Sequence, residues 1–268
     1  KNPQQALSHY AVATTAGREG RDARIDRLRQ AIARAGAGFR DLPYLHYALF
    51  RELDTVGDTA EAWEALAAGA AGKRQQVRYH PEEETQLFAA LREACPPGFA
   101  DIVSNNSPEG PVPVFVLGLP RTGTTLLERI LGGNPDITLC GELNDFRMQF
   151  KWATDHGSLG FIDAVGVERL PGVDFPELGH RYLSHVAWRL EGKSHFSDKH
   201  PQNFMLAGAI ARALPQAKIL HLRREPMDAC FSNLKELFAA NSHPYSYSLP
   251  DLAAHHRNYS TLMAHWHA

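Results

Sequence analysis

The sequence predicts an α/β domain, a parallel sheet flanked by helices, preceded by an all-α helical region. Three observations carry that prediction. Residues 4–94 are rich in Ala, Leu, Arg and Glu and show only helical periodicity. Beyond residue 111, short β-rich runs alternate with helical patterns, which argues for parallel strands with crossover helices. Residues 112–131, VPVFVLGLPRTGTTLLERIL, read as an apolar strand, a glycine loop and a helix opened by threonines. The division falls near residue 96, giving a helical region over 1–96 and an α/β domain over 97–268.

In the first region, helices are predicted over 5–16, 22–35, 42–56, 59–72 and 81–94, punctuated at Gly17, Gly20, Gly36, Gly38 and Gly57–Asp58. Residues 42–72, two helices joined at Gly57–Asp58 and followed by Ala62 and Trp63, resemble one tetratricopeptide (TPR) repeat. Residues 22–35 resemble the second helix of a preceding repeat. Such pairs cannot bury their apolar faces alone, so stacking on their neighbours is expected. A polar linker, SNNSPEGP over 104–111, follows.

In the second region, strands are predicted over 114–117, 137–140, 195–197 and 218–222. Ligands of such sheets bind beyond the carboxyl ends of the strands, so the residues there matter most. After the first strand, Gly118 to Thr125 nearly spell the phosphate-binding pattern G-x-x-x-x-G-K-[ST], with Thr124 where that pattern has lysine. A P-loop-like cradle without the lysine suits a less charged group than a Mg-bound triphosphate. Arg121 supplies a planar, bidentate cation for phosphate or sulfate. Leu126, Leu127, Ile130 and Leu131 are read as the apolar face that pins the following helix to the sheet.

The second strand delivers Glu142, a carboxylate beside the cradle and a general-base candidate. The third delivers Asp198, Lys199, His200 and Pro201. Lys199, ahead of a Pro-initiated helix over 201–214, can neutralise a leaving group, and His200 is a lesser candidate base. The fourth ends in Arg223 and Arg224, followed by a helix to about Phe238 that carries Ser232. An arginine at a strand end with a serine further along can grip a second phosphate. On that helix Met227, Phe231, Leu234 and Phe238 fall at helical spacing and read as core. An NTPase would need an apolar strand ending in a Mg-binding Asp; only Asp198 offers itself, after the poor apolar lead-in of 194–197. These residues fit a metal-free donor with two separate phosphate groups.

Composition narrows the field. The chain has 268 residues, 44% hydrophobic and 22% charged, within the globular range. A net charge of −2 provides no basic field for nucleic acid or anionic membrane. No apolar run approaches the roughly 20 residues of a membrane span, and Lys1 does not open a signal peptide. The lack of an initial Met points to a native N-terminus upstream. Three widely spaced cysteines, Cys95, Cys140 and Cys230, read as buried reduced thiols of a cytoplasmic protein. Residues 247–266 read as an amphipathic helix, with His255, His256, His265 and His267 as solvated or packing residues.

PRTGTTLLERIL resembles the 5′-phosphosulfate loop of sulfotransferases, and LRREPMDACFSNL resembles their 3′-phosphate motif. Cys140–Gly141–Glu142 and Asp198–Lys199–His200–Pro201 resemble tyrosylprotein sulfotransferases and bacterial tetratricopeptide-bearing sulfotransferases. The resemblance covers roughly residues 111–268. It implies a sulfotransferase fold and sulfuryl transfer from 3′-phosphoadenosine 5′-phosphosulfate (PAPS) to a hydroxyl, leaving adenosine 3′,5′-bisphosphate (PAP), with no metal. Arg121, Thr122, Gly123, Thr124 and Thr125 would hold the 5′-phosphosulfate, and Arg224 and Ser232 the 3′-phosphate. Glu142 would take the acceptor's proton, and Lys199 would stabilise the bridging oxygen. Resembling proteins continue beyond residue 268 into another strand and a loop closing over the nucleotide, so adenine contacts and any catalytic serine are expected there.

The acceptor is open: a peptidyl tyrosine, a carbohydrate and a small phenol all fit. Residues 146–179 are expected to line its pocket, with Phe150, Trp152, Phe161 and Phe175 read as core. A protein partner on the helical repeats is a further expectation. The alternative functions are a nucleotide kinase or NTPase with a degenerate P-loop, and a non-catalytic interaction module built on the helical repeats.

Overall fold

The computed structural model describes residues 5–268 apart from 37, 103 and 105. Residues 1–4, where the predicted helical region begins, and Asn105 of the predicted linker lie outside the described residues. The chain divides into two compact units. One holds the described residues up to His80 together with Cys230–Ala253; the other holds Pro81–Ala229 and Ala254–Ala268.

The first unit opens with α1 (Ala6–Thr15), α2 (Arg21–Ala35), α3 (Leu42–Val56) and α4 (Thr59–Arg74). The turn between α3 and α4 follows from its residues. Gly57 takes the left-handed conformation that ends a helix (φ +84°), and the Asp58 carboxylate accepts from the Glu61 N–H at 3.2 Å to start the next. Gly69 lets α4 close on α3: a Cβ there would stand 2.9 Å from the Tyr47 ring. Leu28, Leu45, Tyr47, Leu53 and Leu66 fill the core, where the Tyr47 hydroxyl donates to the Leu234 carbonyl at 2.9 Å. Glu52, buried, accepts from both Arg21 and Arg24.

The second unit runs α5 (Pro81–Ala94), β1 (Val112–Gly118), α6 (Thr124–Leu131), β2 (Ile137–Leu139), α7 (Asp145–Ala153), α8 (Ala164–Glu168), α9 (Phe175–Val186), β3 (His195–Asp198), α10 (Ala207–Ala213), β4 (Lys218–Leu222), α11 (Pro226–Leu234) and α12 (Leu249–Trp266). The last two helices each begin in one unit and end in the other. α5, whose composition groups it with the helices before it, clusters with the sheet. Among the described residues the sheet has four strands in the order β2-β3-β1-β4, all parallel. β1 is central and its residues 114–118 are buried, as a strand covered on both faces must be. Phe115 stacks on Tyr182 at 5.7 Å, and Phe146 meets both rings edge-on. No helix among the described residues is long and apolar enough to cross a membrane.

The structure corrects three local expectations. α6 presents Thr124, Leu127, Glu128 and Leu131 inward, at spacings i, i+3, i+4 and i+7, whereas Leu126 and Ile130 are 67% and 65% exposed. The predicted helix over 201–214 is instead a 3-10 segment, Pro201–Leu206, followed by α10. The Asn203 N–H bonds the His200 carbonyl and its side chain donates to Asp198 at 3.1 Å, which tightens the first turns. α11 stops at Leu234 rather than Phe238, and two of its apolar residues, Met227 and Phe231, are exposed instead of core.

Candidate functional site

The cradle hangs between β1 and α6. Gly118 ends the strand at φ +149°, and a Cβ there would lie 2.5 Å from the Leu222 carbonyl oxygen of β4. Only glycine allows the two strands to approach so closely. Arg121 and Gly123 also take positive φ, +67° and +105°. The Thr122 hydroxyl donates to the Leu119 carbonyl at 2.8 Å and closes the loop on itself. α6 then starts from Gly123 with no side-chain cap, so its first amides face the loop. Thr124 is buried, while Arg121 and Thr125 are exposed.

Arg224, just past β4, donates from Nη1 to the main-chain carbonyl of Arg121 at 3.1 Å. This bond brings together the ends of β1 and β4. Ser232 lies on α11 and is buried.

The ends of the paired strands β2 and β3 converge as well. β2 stops at Leu139, and Gly141 turns the chain with φ +69°. The Lys199 N–H donates to the Gly141 carbonyl at 2.9 Å, and the Lys199 ammonium donates to Glu142 Oε1 at 2.6 Å. The pair is asymmetric: the lysine side chain is 7% exposed and the glutamate 57%. A desolvated ammonium thus holds a carboxylate that is open to solvent.

Neighbouring groups set the surroundings of that pair. His200 is half-buried, its ring 5.2 Å from that of Phe161 between centres, and desolvation pushes its imidazole down to about 4. It is therefore neutral near pH 7. Arg147, on α7, lies over the same Phe161 ring at 5.3 Å and is likewise lowered by burial. Asp198 is fully buried; its oxygens accept from the Tyr182 hydroxyl at 2.9 Å and from Asn203. Burial raises its carboxyl to about 8, the two donors acting against that. Both oxygens being engaged inside the core, Asp198 does not fit the Mg-binding end of an NTPase strand.

Sequence reasoning missed Glu128. A glutamate inside a helix reads as a solvated position, yet this one is buried, and Oε1 accepts from the Gly141 N–H at 2.9 Å and the Ser197 hydroxyl at 2.7 Å. Nothing local signals those partners, which lie 13 and 69 residues away. Arg147 and Phe161 fall within the 146–179 stretch expected to line the acceptor pocket, but their packing beside His200 had no signal in the sequence. Of the aromatics between 146 and 179, Phe150, Phe161 and Phe175 are core, while Trp152 is exposed beneath the Arg181 guanidinium. Cys95 is a buried free thiol and Cys140 a half-buried one, and Cys230 is half-buried.

An uncharacterised protein of Aquifex aeolicus (strain VF5) is 27% identical over 242 residues, covering 87% of this chain. The chain spans 30% of that relative's length. No solved structure matches. A model of the sulfotransferase family matches residues 113–268, a stretch that starts in β1 and takes in the cradle, both converging strand ends and the Arg224 turn. With more than half of its length so matched, and a parallel sheet whose first strand leads into a glycine loop and helix, the chain belongs to the sulfotransferase family.

Proposed function

We propose that this protein transfers a sulfuryl group from PAPS to a hydroxyl acceptor by in-line displacement, with Glu142 as base and Lys199 as the group that meets the leaving oxygen. The observation that carries the reading is the 2.6 Å pair between Lys199 and Glu142 on strand ends adjoining the cradle. The residues fit the donor: a loop of positive-φ positions and uncapped helix amides suits its 5′-phosphosulfate, held by Arg121, Thr122, Gly123, Thr124 and Thr125. Arg224 and Ser232, spaced as in the family's motif, are assigned to the 3′-phosphate.

When bound, PAPS supplies an activated sulfur, whose bond to the 5′-phosphate oxygen breaks as the acceptor oxygen bonds to it. Glu142, exposed beyond the ammonium that holds it, receives the acceptor's proton. Lys199 then shifts its donation from Glu142 to the oxygen that gathers charge. A donor aimed in this way contributes ~3 kcal/mol to the transition state. His200, neutral and half-buried, is left out of the proton path. A sulfuryl group carries less charge than a phosphoryl group, so ammonium, guanidinium and amides suffice without a divalent ion. Free thiols at Cys95 and Cys140 fit a cytoplasmic setting. The helical unit, as a TPR-like surface, is assigned to protein binding.

Calorimetry with PAP, ADP and Mg-ATP tests the donor. PAP binding without a magnesium requirement is expected, and Mg-ATP binding without PAP binding overturns the reading. Incubation with labelled PAPS and a lysate, followed by identification of the labelled product, sorts tyrosine peptides, carbohydrates and phenols as acceptors.

A further inference from the structure

We infer that Glu128, on the cradle helix, is a positioning residue that clasps the two strand ends carrying Glu142 and Lys199. This rests on the roles proposed for that pair. The clasp is a set of four hydrogen bonds. Glu128 Oε1 accepts from the Gly141 N–H at 2.9 Å and from the Ser197 hydroxyl at 2.7 Å. Ser197 Oγ in turn accepts from the Cys140 N–H at 3.2 Å, and the Lys199 N–H donates to the Gly141 carbonyl at 2.9 Å.

Gly141 is thereby gripped through both its N–H and its C=O, at a left-handed turn directly ahead of Glu142. Ser197 stands two residues before Lys199 in β3. Glu128 itself follows Thr124 by four residues, one turn into the helix and on the same inward face. One buried oxygen therefore joins the donor loop's helix to both strand ends. A carboxylate suits that position, because an acceptor-only group takes two donors at once in a site shielded from water. Without it, a buried main-chain N–H and a hydroxyl lose their partner, and Gly141 is free to swing Glu142 away from the ammonium.

Three variants test the clasp. Glu128→Ala is expected to lower kcat about 100-fold, as small displacements of reacting groups do, with PAP affinity and acceptor KM unchanged within about threefold. Glu128→Gln keeps a carbonyl oxygen that accepts both bonds, and is expected to restore kcat to within about fivefold of the parent. In the nucleotide-free protein, NMR hydrogen exchange at the Gly141 amide is expected to accelerate in Glu128→Ala and not in Glu128→Gln. Parental kcat in Glu128→Ala, an equal loss of PAP affinity and kcat, or Gln no better than Ala overturns the inference. If Glu128→Ala fails to fold, Ser197→Ala decides: reduced kcat with intact PAP binding supports the clasp, and parental kcat overturns it. If the parent transfers nothing from PAPS, the functional reading falls, while Gly141 exchange still judges the clasp.

Discussion

Arg224 Nη1 and the carbonyl of Arg121 meet at 3.1 Å although 103 residues separate them in sequence. An arginine whose guanidinium is already oriented by a main-chain oxygen loses less freedom on binding a ligand. The same bond fixes the loop that carries the other arginine.

Arg224→Ala is therefore expected to weaken PAP binding about 10- to 100-fold, the range for a lost charge-assisted hydrogen bond. AMP, which lacks the 3′-phosphate, should lose much less. Calorimetry with both nucleotides checks this, and equal losses would deny Arg224 its role at the 3′-phosphate.

Glu142→Gln removes the proposed base yet keeps a partner for the ammonium, and should depress kcat by about 100-fold or more. Lys199→Ala should fall in a similar range, since its ammonium is proposed to serve the leaving oxygen. Retained PAP affinity in both variants, with transfer suppressed, is the expected pattern. Unimpaired turnover by either variant removes that residue from the mechanism.

The pH dependence of stability should carry the mark of a buried carboxyl and a half-buried imidazole. Folded Asp198 keeps its proton up to about pH 8, whereas the unfolded chain releases it near pH 4. The folded state binds the extra proton through that window, so stability from this group falls as pH rises through it. His200 acts in the opposite sense: the folded chain leaves it neutral down to about pH 4, and the unfolded chain protonates it near 6.5. Its contribution is lost as pH drops from 6.5 toward 4. Asp198→Asn, unable to ionise, should gain in melting temperature relative to the parent as pH climbs from about 5 to 8. A constant difference across that range would contradict the assignment.

In the helical unit, Tyr47→Phe deletes a buried hydroxyl bonded to the Leu234 carbonyl. A loss of about 1 kcal/mol in urea unfolding is expected. No loss would mean that the carbonyl finds another donor.

The legible parts were those in which local pattern and tertiary demand coincide. α3 and β4 appear with the bounds read from sequence, because Gly57 ends one and the apolar run before Arg223 defines the other. The cradle was legible because its backbone needs glycine at Gly118 and Gly123. α6 was only half legible. Its four apolar residues span two faces, and the inward one is completed by Thr124 and Glu128, whose surroundings come from other strands. Met227 and Phe231 show that helical spacing marks a face without saying whether anything covers it. The neighbourhood of His200, Phe161 and Arg147 joins residues from three stretches of the chain and has no local signature.

The missing side chain at Gly118 ties evolvability to chemistry. Any methyl at that position would collide with the Leu222 oxygen, prising β4 from the central strand before any nucleotide is encountered. A selection that demands nothing beyond soluble expression would already purge substitutions there, so the anion loop is guarded by the folding requirement itself. Drift in the surrounding residues can then proceed around an anchor that selection for solubility alone keeps in place.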